Sequence, residues 1–239
     1  MLDIVYLAWN RLEFTRKTFE TLVANTDWSK VARIIVYDDG SVDGTGDYLL
    51  HALEQMNPRP ETCFRETKRL GPVTLLTDYL RLGGTEVFAR IDNDTMVPPG
   101  WLNECLGLLE QNPTVDLLGI EARSDVAPSG PPPRTVYDGD YIGGIGLMRR
   151  RAFANIDGLV PRPYIDCPAS RFGFEEWQWG KKDIRKVWIQ PPLPVCLLNR
   201  VPFEPWSSLS KEYVAKGWQR SWPEPYSFAR ADLWKWWAS

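Results

Sequence analysis

The sequence predicts an α/β protein with a mostly parallel central sheet flanked by helices. Short apolar or β-branched segments, such as 4–8 and 32–37, alternate with segments of helical periodicity, such as 12–25. Strands that alternate with helices are typical of βαβ units, in which neighbouring strands run parallel. The length of 239 residues suits one large α/β domain.

Each predicted element has its own signal in the sequence. The apolar run 4–8 is expected of a strand buried on both faces, and Asn10 is expected to cap the helix 12–25. Ser41 or Asp43 is expected to cap a second helix that ends near Leu53. The other predicted elements are a strand at 62–66, a helix at 72–82, a strand at 87–91, a helix at 101–111, a strand at 187–190 and a helix at 208–216.

Composition and charge limit the classes of function. The formal net charge is −3, so the protein has no overall basic field that would attract nucleic acid. The four cysteines match no zinc-site spacing, which favours reduced thiols. No segment has the ~20 apolar residues of a membrane span. We therefore expect a cytoplasmic protein without a transmembrane segment.

Acidic residues follow two of the predicted parallel strands. Asp38-Asp39 ends one strand and Asp92-Asn93-Asp94 ends another. Because ligands of open parallel sheets bind at the carboxyl ends of the strands, both clusters are expected at one binding edge. A divalent cation completed by substrate phosphates would relieve their mutual repulsion. As an alternative, Asp92-Asn93-Asp94 forms a turn and Asp38-Asp39-Gly40-Ser41 caps a helix. This alternative explains either cluster alone, but it explains poorly why both clusters occur at the same edge of the sheet.

Four distinctive segments follow one another along the chain: Asp38-Asp39-Gly40-Ser41 after a strand, Asp92-Asn93-Asp94 after another, Gly143-Gly144-Ile145-Gly146, and Gly173-Phe174-Glu175-Glu176-Trp177. In this order they resemble the motifs of the family-2-type glycosyltransferases of the GT-A fold, with Asp92-Asn93-Asp94 as the DXD motif. The resemblance extends over about residues 3–200. It implies a single Rossmann-like GT-A domain that transfers a sugar from a nucleotide-sugar donor, with UDP favoured, using Mn²⁺ or Mg²⁺.

The resemblance also assigns roles in donor binding. Asp39 is expected to hydrogen-bond the base, and Trp9 to stack on it. Asp92 is expected at the ribose or the metal-bound diphosphate, and Asp94 as the direct metal ligand. The residues expected to contact the nucleotide sugar are Ala8, Trp9, Asn10, Arg11, Asp38, Asp39, Gly40, Arg69, Asp92, Asn93 and Gly144.

Catalysis is expected to depend on the acidic pair. By resemblance, Glu176 is expected to be the general base that deprotonates the acceptor hydroxyl in an inverting displacement, and Glu175 is the second catalytic candidate of the pair. An exposed helix start is the alternative explanation for two adjacent acids.

The sequence departs from the family pattern in two places. The arginine that usually precedes the DXD strand is missing, and Arg69 is the candidate replacement. The usual metal-binding histidine is also missing, because His51 lies on an early helix. Either Asn199 supplies a neutral oxygen as a metal ligand, or the site uses fewer protein ligands.

The resemblance divides the chain into a nucleotide-sugar-binding half (about 1–95), an acceptor-binding half (about 96–200) and a Trp- and Pro-rich extension (201–239). The Pro- and Gly-rich loop 123–140 and the extension are expected to select the acceptor. A glycan, a protein, a lipid-linked sugar and a modified nucleic-acid base all stay open as acceptors. The alternatives to an active glycosyltransferase are an inactive GT-A domain that binds a sugar or a partner, and a nucleotidyltransferase.

Overall fold

A computed structural model describes residues 1–57, 60–120, 133–154, 178, 181–190, 193 and 195–197. Within these residues, the helices are α1 (Leu12–Asn25), α2 (Thr45–Gln55), α3 (Pro72–Leu82) and α4 (Trp101–Gln111). The strands are β1 (Leu2–Ala8), β2 (Val31–Asp38), β3 (Glu61–Glu66), β4 (Val87–Asp92), β5 (Thr95–Met96), β6 (Leu117–Gly119), β7 (Thr135–Asp138), β8 (Gly146–Arg149), β9 (Lys186–Gln190) and β10 (Cys196–Leu197).

The central sheet has eight strands in the order β3-β2-β1-β4-β8-β6-β9-β7. Strands β1 to β4 pair in parallel, whereas β8 is antiparallel to both β4 and β6. The predicted α/β class and mostly parallel sheet are therefore confirmed. Strands from both predicted halves of the chain belong to this one sheet.

The parallel strands end at a common edge. In the register of the sheet, Ala8 of β1 lies opposite Asp38 of β2, and Asp38 lies opposite Glu66 of β3. On the other side of β1, Leu7 lies opposite Asp92 of β4. The two acidic clusters thus follow strands on either side of β1, as the sequence predicts.

Two details of the sequence prediction are wrong. The predicted loop 123–140 contains β7, an edge strand that pairs antiparallel with β9. The prolines just before β7 made this segment resemble a loop in the sequence. Asn10 does not cap α1, because Arg11 is the N-cap residue and Asn10 has a left-handed backbone. Instead, one Asp43 oxygen accepts the first amide of α1 from Leu12, and the other accepts the first amide of α2 from Thr45.

Buried apolar side chains cover both faces of the sheet and hold the helices on it. Trp101, at the start of α4, is fully buried, and its indole N–H donates to the Thr26 hydroxyl over 3.1 Å. None of the helices in the described ranges is both long enough and apolar enough to cross a membrane.

We expect Trp101→Phe to lower the free energy of unfolding by about 1–3 kcal/mol, because it leaves a cavity and an unpaired hydroxyl on Thr26. Urea unfolding followed by circular dichroism measures this change. The matched control is Leu50→Ala, since Leu50 is 46% exposed and its truncation should change stability by less than about 0.5 kcal/mol. Equal stability of the two variants would contradict a structural role for the buried indole.

Candidate functional site

Backbone hydrogen bonds extend the sheet past the ends of its strands. The amide of Asp39 donates to the Ala8 carbonyl over 2.8 Å, and the amide of Asn93 donates to the Leu7 carbonyl over 2.9 Å. The amide of Thr67 donates to the Asp38 carbonyl over 2.8 Å. The loops after β1, β2, β3 and β4 are therefore held side by side, and these loops carry most of the predicted donor-binding residues.

The Asp39 carboxylate anchors the loop between β3 and α3. It is 3% exposed and accepts the Thr67 hydroxyl over 2.8 Å. It also accepts the amide of Leu70 over 2.6 Å and the amide of Gly71 over 2.8 Å. Both carboxylate oxygens thus have partners within the chain, so the structure gives Asp39 a positioning function in addition to the predicted contact with a base.

Asp38 shapes the turn that follows β2. One of its oxygens accepts both the amide and the hydroxyl of Ser41. Burial raises the pKa of the Asp38 carboxyl above its usual value, and the Ser41 hydrogen bonds partly oppose this shift. Gly40 has φ +76°, and a Cβ there would lie 3.0 Å from the Thr67 carbonyl oxygen. Glycine at this position therefore allows the turn to approach the neighbouring loop.

Trp9 and Arg69 form a stacked pair above this edge of the sheet. The guanidinium carbon of Arg69 lies 3.1 Å from the centre of the Trp9 ring. Trp9 is half-buried directly after β1, whereas Arg69 is exposed. A flat cation on an indole face is a favourable cation–π arrangement. Two residues predicted to contact the nucleotide sugar, Trp9 at its base and Arg69 in place of the missing arginine, are thus in contact with each other.

Asn93 connects the DXD segment to the loop after β1. Its side-chain amide donates to the Asn10 carbonyl over 2.7 Å and to the Thr15 hydroxyl over 2.8 Å. Asn10 in turn accepts the amide of Val42 and donates its own amide to the Ser41 hydroxyl. The side chains of Asn10 and Asn93 therefore join the loops at this edge to one another.

Asp92 is paired with an arginine from its own strand. The Arg90 guanidinium donates to both Asp92 oxygens, over 3.2 and 3.1 Å. The Arg90 side chain is 5% exposed and that of Asp92 is 31% exposed, so the carboxylate faces outward from a buried cation. A Cβ on Gly144 would lie 3.2 Å from an Arg90 nitrogen. Gly144 thus lets the predicted glycine segment pack on this ion pair.

Asp94 is paired with Arg11 from the loop after β1. The two side chains form an ion pair of 3.0 Å and are 11% and 16% exposed, respectively. The other Asp94 oxygen accepts the Thr95 hydroxyl over 3.5 Å. Both carboxylates of the DXD motif therefore have an arginine partner in this structure.

Backbone strain is concentrated in the same loops. Within the part of the chain that the structure describes, the non-glycine residues with positive φ are Asn10, Arg11 and Arg69. Such conformations cost of order 1–3 kcal/mol each and often occur at functional sites. All three residues were predicted to contact the donor.

The acceptor side of the predicted site is described only in part. Glu175, Glu176, Asn199 and residues 201–239 lie outside the described residues. Gln178, two residues after Glu176 in the sequence, is fully buried and exchanges two hydrogen bonds with the backbone of Ile142. In the two-stranded sheet of β5 and β10, Leu197 lies opposite Thr95, next to Asp94 in the chain.

The side chains at this edge that are predicted to ligate a metal are Asp92 and Asp94. Among the described residues, no group of three or more His, Cys, Asp or Glu side chains could hold a metal ion. Mg²⁺ commonly binds through one or two carboxylates together with substrate phosphates, and carboxylates also suit Mn²⁺. The two carboxylates therefore fit a metal that arrives with a diphosphate, rather than a closed site made by protein alone.

The sequence prediction missed Arg90 and Gln178. Residues two apart on a strand share a face, so the Arg90-x-Asp92 spacing could have revealed the ion pair between Arg90 and Asp92. Nothing in the sequence around Gln178 indicates that its amide binds a backbone 36 residues away.

Comparisons with solved structures give GT-A glycosyltransferases as neighbours, which confirms the predicted fold. A mannosyltransferase from Pyrobaculum calidifontis, solved with GDP-Man and Mn²⁺, matches with a TM-score of 0.62 and 18% identity, over 97% of this chain and 68% of that one. Residues 1–349 of S. aureus TarS match with a TM-score of 0.56 and 13% identity, over 78% of this chain and 59% of that one.

A third structure extends this likeness. GalNAc-T7, solved with UDP, GalNAc and Mn²⁺, matches with a TM-score of 0.57 and 14% identity, over 80% of this chain and 42% of that one. The chain thus spans 59% of the TarS fragment and a smaller share of GalNAc-T7. A comparison with curated proteins finds none that matches.

The sequence itself matches a family profile. The profile described as Glycosyl transferase family 2 matches residues 3–158, which is well over half of the chain. The matched range contains β1 to β4 and the DXD segment, together with the loops that Asp39, Asn93 and Asp94 connect. The chain belongs to glycosyl transferase family 2.

Proposed function

We propose that this domain transfers a sugar from a nucleoside diphosphate sugar to an acceptor hydroxyl, with a UDP-sugar as the favoured donor and Mn²⁺ or Mg²⁺ as the metal. The observation that carries the proposal is the meeting of the loops after β1, β2, β3 and β4 at one edge, with an aromatic face and two carboxylates. Neighbours with this fold were solved with UDP-GlcNAc, with UDP or with GDP-Man.

The donor is proposed to bind along this edge from base to diphosphate. Trp9 stacks on the base, and Arg69 moves from the indole face to the base or the diphosphate. Base stacking on an aromatic side chain contributes about 1–3 kcal/mol in nucleic-acid sites. Asp92 binds the ribose or the metal, and Asp94 is the direct metal ligand. The loops need little rearrangement, because Asp39 and Asn93 already hold them together.

The reaction is proposed to be an inverting displacement. A metal held by Asp92 and Asp94 would supply Lewis-acid stabilisation of the leaving diphosphate. Glu176 accepts the proton of the acceptor hydroxyl as it attacks the anomeric carbon. Support for this assignment comes from Gln178, two residues after Glu176 in the sequence, because it hydrogen-bonds the backbone of Ile142, which precedes Gly144 and its contact with Arg90.

Asn199 is proposed as a third metal ligand. Support comes from the pairing of Leu197 with Thr95, because Thr95 follows Asp94 and Asn199 comes two residues after Leu197 in the sequence.

A location in the cytoplasm is also proposed, from the lack of a long apolar run and of a disulfide-type cysteine pattern.

Calorimetric titration of UDP, GDP and dTDP, each with and without Mn²⁺, tests donor binding. We expect one nucleotide to bind in a Mn²⁺-dependent manner, and Asp94→Ala to weaken that binding by at least about 100-fold, since even outer-shell partners of metals contribute 10–100-fold. The matched control is Asp47→Ala, which removes an exposed carboxylate from α2 and should leave binding unchanged.

Failure of all three nucleotides to bind to the folded protein would overturn the proposed donor site. Mn²⁺-independent binding that survives Asp94→Ala would overturn the proposed metal ligand alone.

A further inference from the structure

The Arg11–Asp94 ion pair lies at the carboxylate proposed to bind the metal. The Arg11 guanidinium donates to one Asp94 oxygen over 3.0 Å, with both side chains largely buried. The backbone of Arg11 is fixed as well. Its φ is +65°, its carbonyl accepts the amide of Thr15, and the preceding Asn10 carbonyl accepts the Asn93 side chain. The loop that carries Arg11 is therefore tied to the segment that carries Asp94.

A divalent ion bound by Asp94 would compete with the Arg11 guanidinium for the same carboxylate. Carboxylate oxygens bind Mg²⁺ at about 2.0–2.1 Å, so an ion on Asp94 would be close to a nitrogen that already lies 3.0 Å from the same carboxylate. Two cations this close repel each other, and burial reduces the screening by water and salt. Arg11 therefore opposes the binding of a metal that arrives alone.

A nucleoside diphosphate would make metal binding at Asp94 favourable in spite of Arg11. Its phosphates offer the displaced guanidinium a new partner, and arginine pairs well with phosphate because its planar fork can donate two hydrogen bonds. The same phosphates complete the coordination of the metal. Metal and nucleotide then raise each other's affinity by the same factor, as linkage requires.

We propose that Arg11 is a counter-cation of Asp94 that the metal must displace, so that metal and nucleoside diphosphate bind together rather than separately. This proposal rests on the proposed donor site. In this proposal Arg11 has a second function besides contact with the donor. When no nucleotide is bound, Arg11 keeps the affinity of Asp94 for the metal low.

Titration of Mn²⁺, with the free ion measured by electron paramagnetic resonance, tests this proposal without measuring turnover. The titration is made with and without UDP for the wild type, Arg11→Gln, Arg11→Lys and Asp94→Asn. A fifth protein, Arg16→Gln, is the charge-matched control, because Arg16 lies on α1 but stacks on Tyr48 instead of pairing with Asp94. Circular dichroism establishes that each variant is folded.

Without UDP, we expect Arg11→Gln to bind Mn²⁺ about tenfold more tightly than the wild type, the size of one charge-assisted contact. UDP should tighten Mn²⁺ binding strongly in the wild type and in Arg11→Lys, but much less in Arg11→Gln. Arg16→Gln should behave as the wild type, and Asp94→Asn should lose the site.

Equal Mn²⁺ affinity of wild type and Arg11→Gln, or an equal gain in Arg16→Gln, would overturn the proposal. So would the absence of Mn²⁺ binding in all variants. If Arg11→Gln gains Mn²⁺ affinity but no nucleotide binds to any variant, the competition at Asp94 stands and the proposed donor site fails.

Discussion

Asp39→Ala is expected to lower the free energy of unfolding by about 3–5 kcal/mol and to abolish nucleotide binding. The substitution removes the acceptor for the Thr67 hydroxyl and for the amides of Leu70 and Gly71. A fully buried donor left without a partner, such as the Gly71 amide, costs about 1–3 kcal/mol, and the two part-buried donors cost less each. Urea unfolding and calorimetry with the nucleotide that binds the wild type measure the two effects.

Two further variants separate the causes of this loss. Asp39→Asn keeps one carbonyl oxygen, so its stability should lie between those of the wild type and the alanine variant. Asp27→Ala removes a half-buried carboxylate that hydrogen-bonds Asn103 and caps a short helical turn through Ser29, and should cost about 1 kcal/mol. An Asp39→Ala protein as stable as Asp27→Ala would show that the loop before α3 holds its shape without Asp39.

Glu176→Gln is expected to lower kcat by about 10²–10⁴-fold, the usual contribution of a general base, while donor affinity stays unchanged. Glutamine keeps the size of the side chain but accepts no proton. The measurement needs no known acceptor, because release of nucleoside diphosphate from a nucleotide sugar reports hydrolysis with water as the acceptor.

Glu175→Gln is the matched control for this prediction, as the adjacent residue with the same chemistry. It should change kcat by less than about tenfold. If Glu175→Gln shows the large loss instead, the base is one residue earlier than proposed. If neither variant loses activity in a protein that hydrolyses its donor, a group outside the acidic pair accepts the proton.

Periodicity and the helix-bounding residues Pro72 and Gly83 were sufficient to predict most of the first half of the fold, although the predicted cap Asn10 was wrong. The bounds predicted for α1, α3 and α4 match the structure, because Pro72 and Gly83 delimit α3 and helical spacing defines the others. The second half was harder to predict. Strands β6 and β7 have only three and four residues, and they depend on pairing with β9, which lies far along the chain.

The edge of the sheet proposed to bind the donor was predicted in position but not in its internal contacts. The acids were expected at one edge because parallel strands end together, and they lie there. The partners of those acids come from tertiary structure. Local sequence does not reveal that Asp39 binds the loop before α3 or that Arg11 reaches Asp94, 83 residues away.

The left-handed backbone at Asn10, Arg11 and Arg69 affects how this domain would respond to selection for thermal stability. Glycine adopts positive φ without steric cost, so Arg69→Gly would relieve strain at an exposed position, whereas Arg11→Gly would also remove the ion-pair partner of the largely buried Asp94. Screens that reward heat resistance alone should therefore enrich glycine at position 69 and, under the proposed function, weaken donor binding. A stabilised variant of this domain is better sought on the helix surfaces, with these loops left unchanged.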